Sequence, residues 1–173
     1  MLETLKLRPI LIFKLLYNMV KHVWSILCRK TIIDSATNNI SLIDVFEQLQ
    51  AKVSLPQNKN IKLSIPFEYE VVNFWHKENT TNKVEIDIEI TLMDPNNKTL
   101  KTFTNIVTIP DNMKRMRTIL KIIGIPITTS GIYRFIVKYK EKDTNSYKQV
   151  AELPIEIKIE PSINNKVSKR ISN

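Results

Sequence analysis

Residues 83–93 carry the sharpest pattern in the chain. Val84, Ile86, Ile88, Ile90 and Leu92 alternate with Glu85, Asp87, Glu89 and Thr91. A period of two predicts a half-buried strand with one apolar and one polar face. The polar face reads as a solvated acidic stripe, because no loop with Gly or Asn ligands surrounds it to enclose a cation. The same period returns at 61–76, where Ile61, Leu63, Ile65, Phe67, Tyr69 and Val71 oppose Lys62, Ser64, Glu68 and Glu70. Pro66 cannot donate to a ladder and marks an edge or a bend there. From Val71 to Trp75 both faces turn apolar, as where a strand runs under a second layer or forms an interface. Val72, Phe74 and Trp75 are therefore a candidate interaction surface. Strands 131–140 and 148–160 complete the clear alternations. In the first, Gly131-x-Tyr133-x-Phe135 suits a strand start after a corner, with Tyr133 bonding the backbone.

The segments between are less decided. Residues 22–33 read as the first strand, with Trp24 in the core. Asp34, Ser35, Thr37, Asn38 and Asn39 then reverse the chain, since short polar side chains bond their own backbone. After that turn, Leu42, Val45, Phe46 and Leu49 match a helix template, with Ser41 and Asp44 placed as a capping box. Against that, the β-branched and aromatic content and the preceding turn suit a strand, though the pattern alone slightly favours the helix. Residues 52–60 form a loop, 94–97 a turn, 98–108 a strand, 124–130 a loop and 141–147 a hairpin loop. Residues 113–123 fit both periods. Their Lys114, Arg115, Arg117 and Lys121 are the basic cluster inside the domain, a candidate anion contact or a charged edge that opposes unwanted pairing.

The run LCRKTIID at 27–34, with TNNISLIDVFEQL at 37–49 and the later Gly131, Tyr133 and Phe135, resembles a family of short bacterial β-sandwich proteins known as a domain of unknown function. The resemblance covers roughly residues 20–160. It implies that 40–51 is a strand, and it carries no catalytic residues with it.

The fold expected is all-β: an antiparallel β-sandwich of about eight strands over 20–160, immunoglobulin-like or jelly-roll. Residues 1–19 form an apolar and basic extension, and 161–173 a basic tail without a core pattern. Apolar residues at 10–17 are interrupted by Lys14 and fall short of a membrane span. They read as an extension ahead of a start at Met19, as a surface helix, or as an export signal.

A net charge of +9 suggests nucleic acid until it is located. Residues 1–30 hold six basic residues against one Glu, and 161–173 hold three against none. Residues 31–160 hold 17 basic and 16 acidic residues and are nearly neutral. With one cysteine, Cys28, the chain makes no internal disulfide, which suits a reducing, cytoplasmic setting. Cys28 reads as a small buried hydrophobe. The two histidines, His22 and His76, sit at no metal-site spacing, and two glycines cannot build a phosphate loop. No cofactor is expected. The sequence points to a non-enzymatic interaction module that binds another protein. The rival readings are a small-ligand or carbohydrate binder using Trp75 and Tyr147, and a nucleic-acid or membrane-surface accessory using the basic ends.

Overall fold

A computed structural model of the protein describes residues 20–53, 63–78, 81–142 and 144–161. The expectations for residues 1–19, for Ile61 and Lys62, for most of the 52–60 loop and for the tail after 161 lie outside these residues. The described chain is all-β. Its nine strands are, in order, β1 (Val20–Ile33), β2 (Ile40–Val45), β3 (Gln48–Val53), β4 (Leu63–Lys77), β5 (Val84–Met93), β6 (Thr99–Ile109), β7 (Arg115–Ile127), β8 (Gly131–Glu141) and β9 (Lys148–Pro161).

They form two sheets, β2-β1-β4-β7 and β3-β9-β8-β5-β6. The chain crosses between the layers after β2, β3, β4, β6 and β7, while β1–β2, β5–β6 and β8–β9 are hairpins within one layer, as in an immunoglobulin-like sandwich rather than a jelly roll. All pairs are antiparallel except β3 with β9, where Leu49 lies beside Ile157 in a parallel register. The expected antiparallel β-sandwich stands, with this one parallel edge added to it. The edge arises because 40–51 is not one strand. The chain leaves the four-stranded sheet at Phe46 and Glu47 and re-enters as an edge of the other. The Phe46 N–H donates to the Leu27 carbonyl at 3.3 Å, and the Glu156 N–H donates to the Glu47 carbonyl at 2.9 Å. These two bonds stitch the layers at the crossing. The Phe46 ring packs edge-on against Phe67, centroids 5.1 Å apart.

A second correction concerns 124–130. Gly124, at φ +80, does not start the loop. It sits opposite Pro66 and Phe67 in a bulge where the register of β4 against β7 shifts. A Cβ at Gly124 would lie 2.9 Å from Ser64 Oγ. The strand then continues, and Ile125 and Ile127 are buried. Pro126 is tolerated because β7 is an edge strand.

The core lies between the sheets. Val71, Trp75 and Ile122 from one layer meet Ile86, Ile90, Phe135, Val137, Ile155 and Ile157 from the other. Burial of this set is the main stabilising term. Tyr133 closes the corner before β8. Its hydroxyl donates to the Thr129 carbonyl at 2.7 Å and accepts from the Thr128 N–H at 2.9 Å. Asp94 is buried beside it and accepts from the Lys98 and Asn96 N–H groups and the Thr128 hydroxyl. Those bonds, the Lys98 backbone bond first, hold its carboxyl below the usual range. Lys77, fully buried, has no carboxylate as hydrogen-bond partner among the described residues. Its ammonium donates to the carbonyls of Asn82, Pro110 and Asp111, tying the β4–β5 loop to the β6–β7 turn.

Candidate functional site

The two sheets treat their faces differently. On the inner face of the four-stranded sheet, Ser25, Asn73 and Thr118 are register neighbours across β1, β4 and β7. They form a hydrogen-bonded row. The Ser25 hydroxyl donates to Asn73 Oδ1 at 2.7 Å, and Asn73 Nδ2 donates to Thr118 Oγ1 at 3.2 Å. The Trp75 indole N–H donates to the same hydroxyl at 3.1 Å. His22 Nε2 lies 2.7 Å from Ser25 Oγ. A serine hydroxyl has one proton, and here it goes to Asn73. His22 therefore donates to Ser25 rather than drawing a proton from it, and the pair does not have the polarity of an activated nucleophile. Burial lowers the His22 pKa from its ordinary value, opposed by a bond to the Trp24 backbone.

On the outer face of the five-stranded sheet the acidic stripe is not simply solvated. Register places Asp87 and Glu89 beside Lys140 and Lys138 of β8, and Glu85 meets Lys142 just past the strand's end. Lys142, Lys140 and Lys138 meet Glu85, Asp87 and Glu89 at 2.9, 3.2 and 3.3 Å. The stripe is half of a cross-strand ion-pair ladder.

The outer face of the four-stranded sheet is organised by the β1–β2 hairpin. β1 pairs with β4 as far as Cys28 opposite Glu70. Beyond that point it turns back. Asn38, at the hairpin tip, accepts from Arg117 through its carbonyl at 3.0 Å and its side-chain oxygen at 3.3 Å. Arg117 lies opposite Phe74, four residues before Lys121, which faces Glu70. The hairpin thus crosses the outer face, and Glu70 and Val72 lie between its hinge and its tip. Both are buried, as is Cys28. Burial pushes the Cys28 thiol up, against a bond to Thr31.

This geometry redistributes the residues singled out in the sequence. Val72 and Trp75 are fully buried and offer nothing to a partner. Trp75 points inward against Tyr139, ring centroids 5.2 Å apart, so it cannot be a sugar platform. Tyr147 is exposed, with Lys140 Nζ 5.2 Å over its ring. Trp24 is on the outer face, 5.5 Å from Phe74, rather than in the core. Phe74 remains partly accessible. Arg115, Arg117 and Lys121 share that outer face on β7, while Lys114 sits in the turn before it. Phe74, Arg115 and Arg117 come together with Ile33, Thr37, Asn38 and Met113 around an open cavity of about 570 Å³ at the hairpin tip. The Arg117 guanidinium is 6.0 Å from the Phe74 ring centroid. No carboxylate lines this cavity among the described residues. Sequence reasoning missed the meeting because Asn38 and Arg117 are 79 residues apart. Among the described residues no group of His, Cys, Asp and Glu is placed to hold a metal, and no helix is long and apolar enough to cross a membrane.

The outer side of the hairpin carries the other feature absent from the sequence reading. Ile32, Ile43 and Val45 are 46%, 38% and 56% exposed. Register puts Ile43 beside Lys30 and Ser41 beside Ile32, on one side.

No family model matches this chain, and no curated protein does. Among solved structures, it is similar to a beta-glucuronidase from glycoside hydrolase family 2 at 18% identity and a TM-score of 0.39. That match covers 57% of this chain and 10% of the other. A glycosyl hydrolase family 2 member from Bacteroides cellulosilyticus DSM 14838 gives 15% identity and a TM-score of 0.38, over 57% of this chain and 14% of that one. The chain therefore spans a small part of either enzyme, and nothing about catalysis transfers from them.

Proposed function

We propose that this chain is a non-enzymatic β-sandwich interaction module that binds another protein through its β1–β2 hairpin. The observation that carries this is that Ile32, Ile43 and Val45 are left exposed on the β1–β2 hairpin, whose tip is pinned to β7 through Asn38 and Arg117. Exposed contiguous apolar groups rimmed by charge mark partner surfaces. The rim here carries both signs, with Lys30 in the stripe and Arg115 beside the tip set against exposed Asp34, Asp44 and Glu47. The partner is thus a protein with an apolar patch in a polar border.

The test is capture from host lysate with the full chain and with an Ile43→Asp/Val45→Asp variant, at low and high salt. One stoichiometric protein that survives high salt with the native chain and is lost with the variant is expected. An empty eluate, or nucleic acid that washes off with salt, overturns the reading.

A further inference from the structure

We infer that the free edge of β7 accepts an extended acidic segment of the partner as a fifth strand of the four-stranded sheet. This rests on the reading of the chain as a protein-binding module and names the kind of segment bound.

Among the described residues β7 is outermost in its sheet and pairs with β4 alone. An edge strand of an antiparallel sheet leaves alternate N–H and C=O groups pointing away from its neighbour, ready for another strand. The usable length is Arg115 to Ile123, because the Gly124 bulge and Pro126 interrupt the remainder of the strand. Along it, Arg115, Arg117, Ile119, Lys121 and Ile123 fall on one face. Strands that pair across an edge bring same-face side chains together, where opposite charges stabilise and like charges repel.

That rule selects the occupant. A second copy of β7, paired antiparallel about Ile119 at the middle of the edge, would set Arg117 against Lys121. A strand whose alternate positions meet Arg115, Arg117, Ile119 and Lys121 with acid, acid, apolar and acid is instead complementary throughout. The two arginines are about 7 Å apart along the strand, the spacing of alternate side chains on any extended peptide. Arg117 is already oriented, since Asn38 takes two of its five donors and Phe74 lies under it. The cavity beside it gives a partner carboxylate room to reach both guanidiniums.

The test uses the full chain and labelled seven-residue peptides read by fluorescence anisotropy. One peptide carries Glu, Glu, Val and Glu at alternate positions with Thr between. A second has the reverse order, for the opposite strand direction. Controls replace Glu by Lys or methylate the backbone nitrogens that would face β7. One of the two acidic peptides is expected to bind. Backbone methylation, or Arg115→Glu/Arg117→Glu, should weaken it at least about tenfold. Equal binding of the methylated peptide overturns the strand-edge mode, and so does binding indifferent to the charge reversal. Free phosphate that displaces the peptide at equal concentration would also overturn it, reducing the site to a point anion contact. If the reversed variant still captures the host protein, the edge is not the docking strand and the module reading stands without it. If no host protein is captured at all, the module reading falls and the inference with it.

Discussion

Both sheets bury their inner faces, but they treat their outer faces differently. The five-stranded sheet is conventional: its inner face is apolar, with Ile86, Ile90, Phe135, Val137 and Ile155, and its outer face is a ladder of ion pairs. The four-stranded sheet carries a polar row through its inner face and buries Val72, Cys28 and Glu70 on its outer one. The cause is the layer above each. Solvent covers the first outer face, so charge is cheap there and contributes little. A hairpin covers the second, so apolar groups are stabilising there and an unpaired polar atom is costly. Glu70 shows the cost directly: one oxygen is 3.8 Å from Lys121 Nζ, and the other has no hydrogen-bond partner among the described residues.

The largest break in this contrast should come from Val72→Asp. A charge forced under the hairpin should cost about 3 kcal/mol or more, or prevent folding. Denaturant titration measures it, and a loss below about 1 kcal/mol would mean the outer face is open. Next is Asn73→Ala, which removes the acceptor of the Ser25 proton and one donor to Thr118, leaving Ser25 with His22 and Thr118 with Trp75. A loss of about 1 kcal/mol is expected, since two hydrogen bonds go while each hydroxyl keeps one partner. An unchanged midpoint would show the row to be incidental.

His22 sharpens the same point through pH. Burial depresses its folded pKa below the ordinary value of 6.5. The unfolded chain therefore binds the proton more readily than the folded one. The stabilising contribution is complete above about pH 6.5, near the unfolded value, and is lost as pH falls through the folded value. His22→Gln should flatten stability across that window, and a profile identical to the native protein's would contradict it. Tyr69 gives the reverse sign. Its hydroxyl is buried without a hydrogen-bond partner among the described residues, and burial pushes its pKa upward. Tyr69→Phe should raise stability by about 1 kcal/mol, because an unpaired polar group is removed at little cost in volume. A fall in melting temperature would reveal a bonding partner for that hydroxyl.

The smallest effect belongs to the five-stranded sheet. A double-mutant cycle on Asp87 and Lys140 should give about 0.5 kcal/mol of coupling, shrinking with added salt. A coupling above about 2 kcal/mol would erase the distinction between the two outer faces.

The five-stranded sheet was also the more legible in sequence. The alternation at 83–93 named β5 and its inward face within a residue of the observed ends. Tyr133 bonds the backbone as its motif implied. What alternation cannot show is which polar face meets which. The lysines of the ladder lie 49 residues or more from their acids in sequence, so the stripe looked solvated. In the four-stranded sheet the pattern misled more. Val72 and Trp75 are apolar on opposite faces of one strand, which reads as a patch. One in fact faces the core and the other a hairpin that sequence treats as a local turn. The break in 40–51 had a weak signal in Asp44, which adopts a φ of 51. The crossing itself depends on Leu27 and Glu156, partners remote in sequence. Arg115 and Arg117 were picked out for charge alone; their place beside Phe74 required the hairpin to turn back.

Lys77 has a practical consequence. Amine-reactive reagents modify lysines in proportion to their access to solvent, and this ammonium is held inside by three carbonyls. In a footprinting experiment surface lysines should label at once, while Lys77 waits for the molecule to open. Its modification rate is thus a built-in clock for global unfolding, readable by mass spectrometry without a dye or a mutation. The same trace separates a variant that has lost a contact from one that has lost its fold.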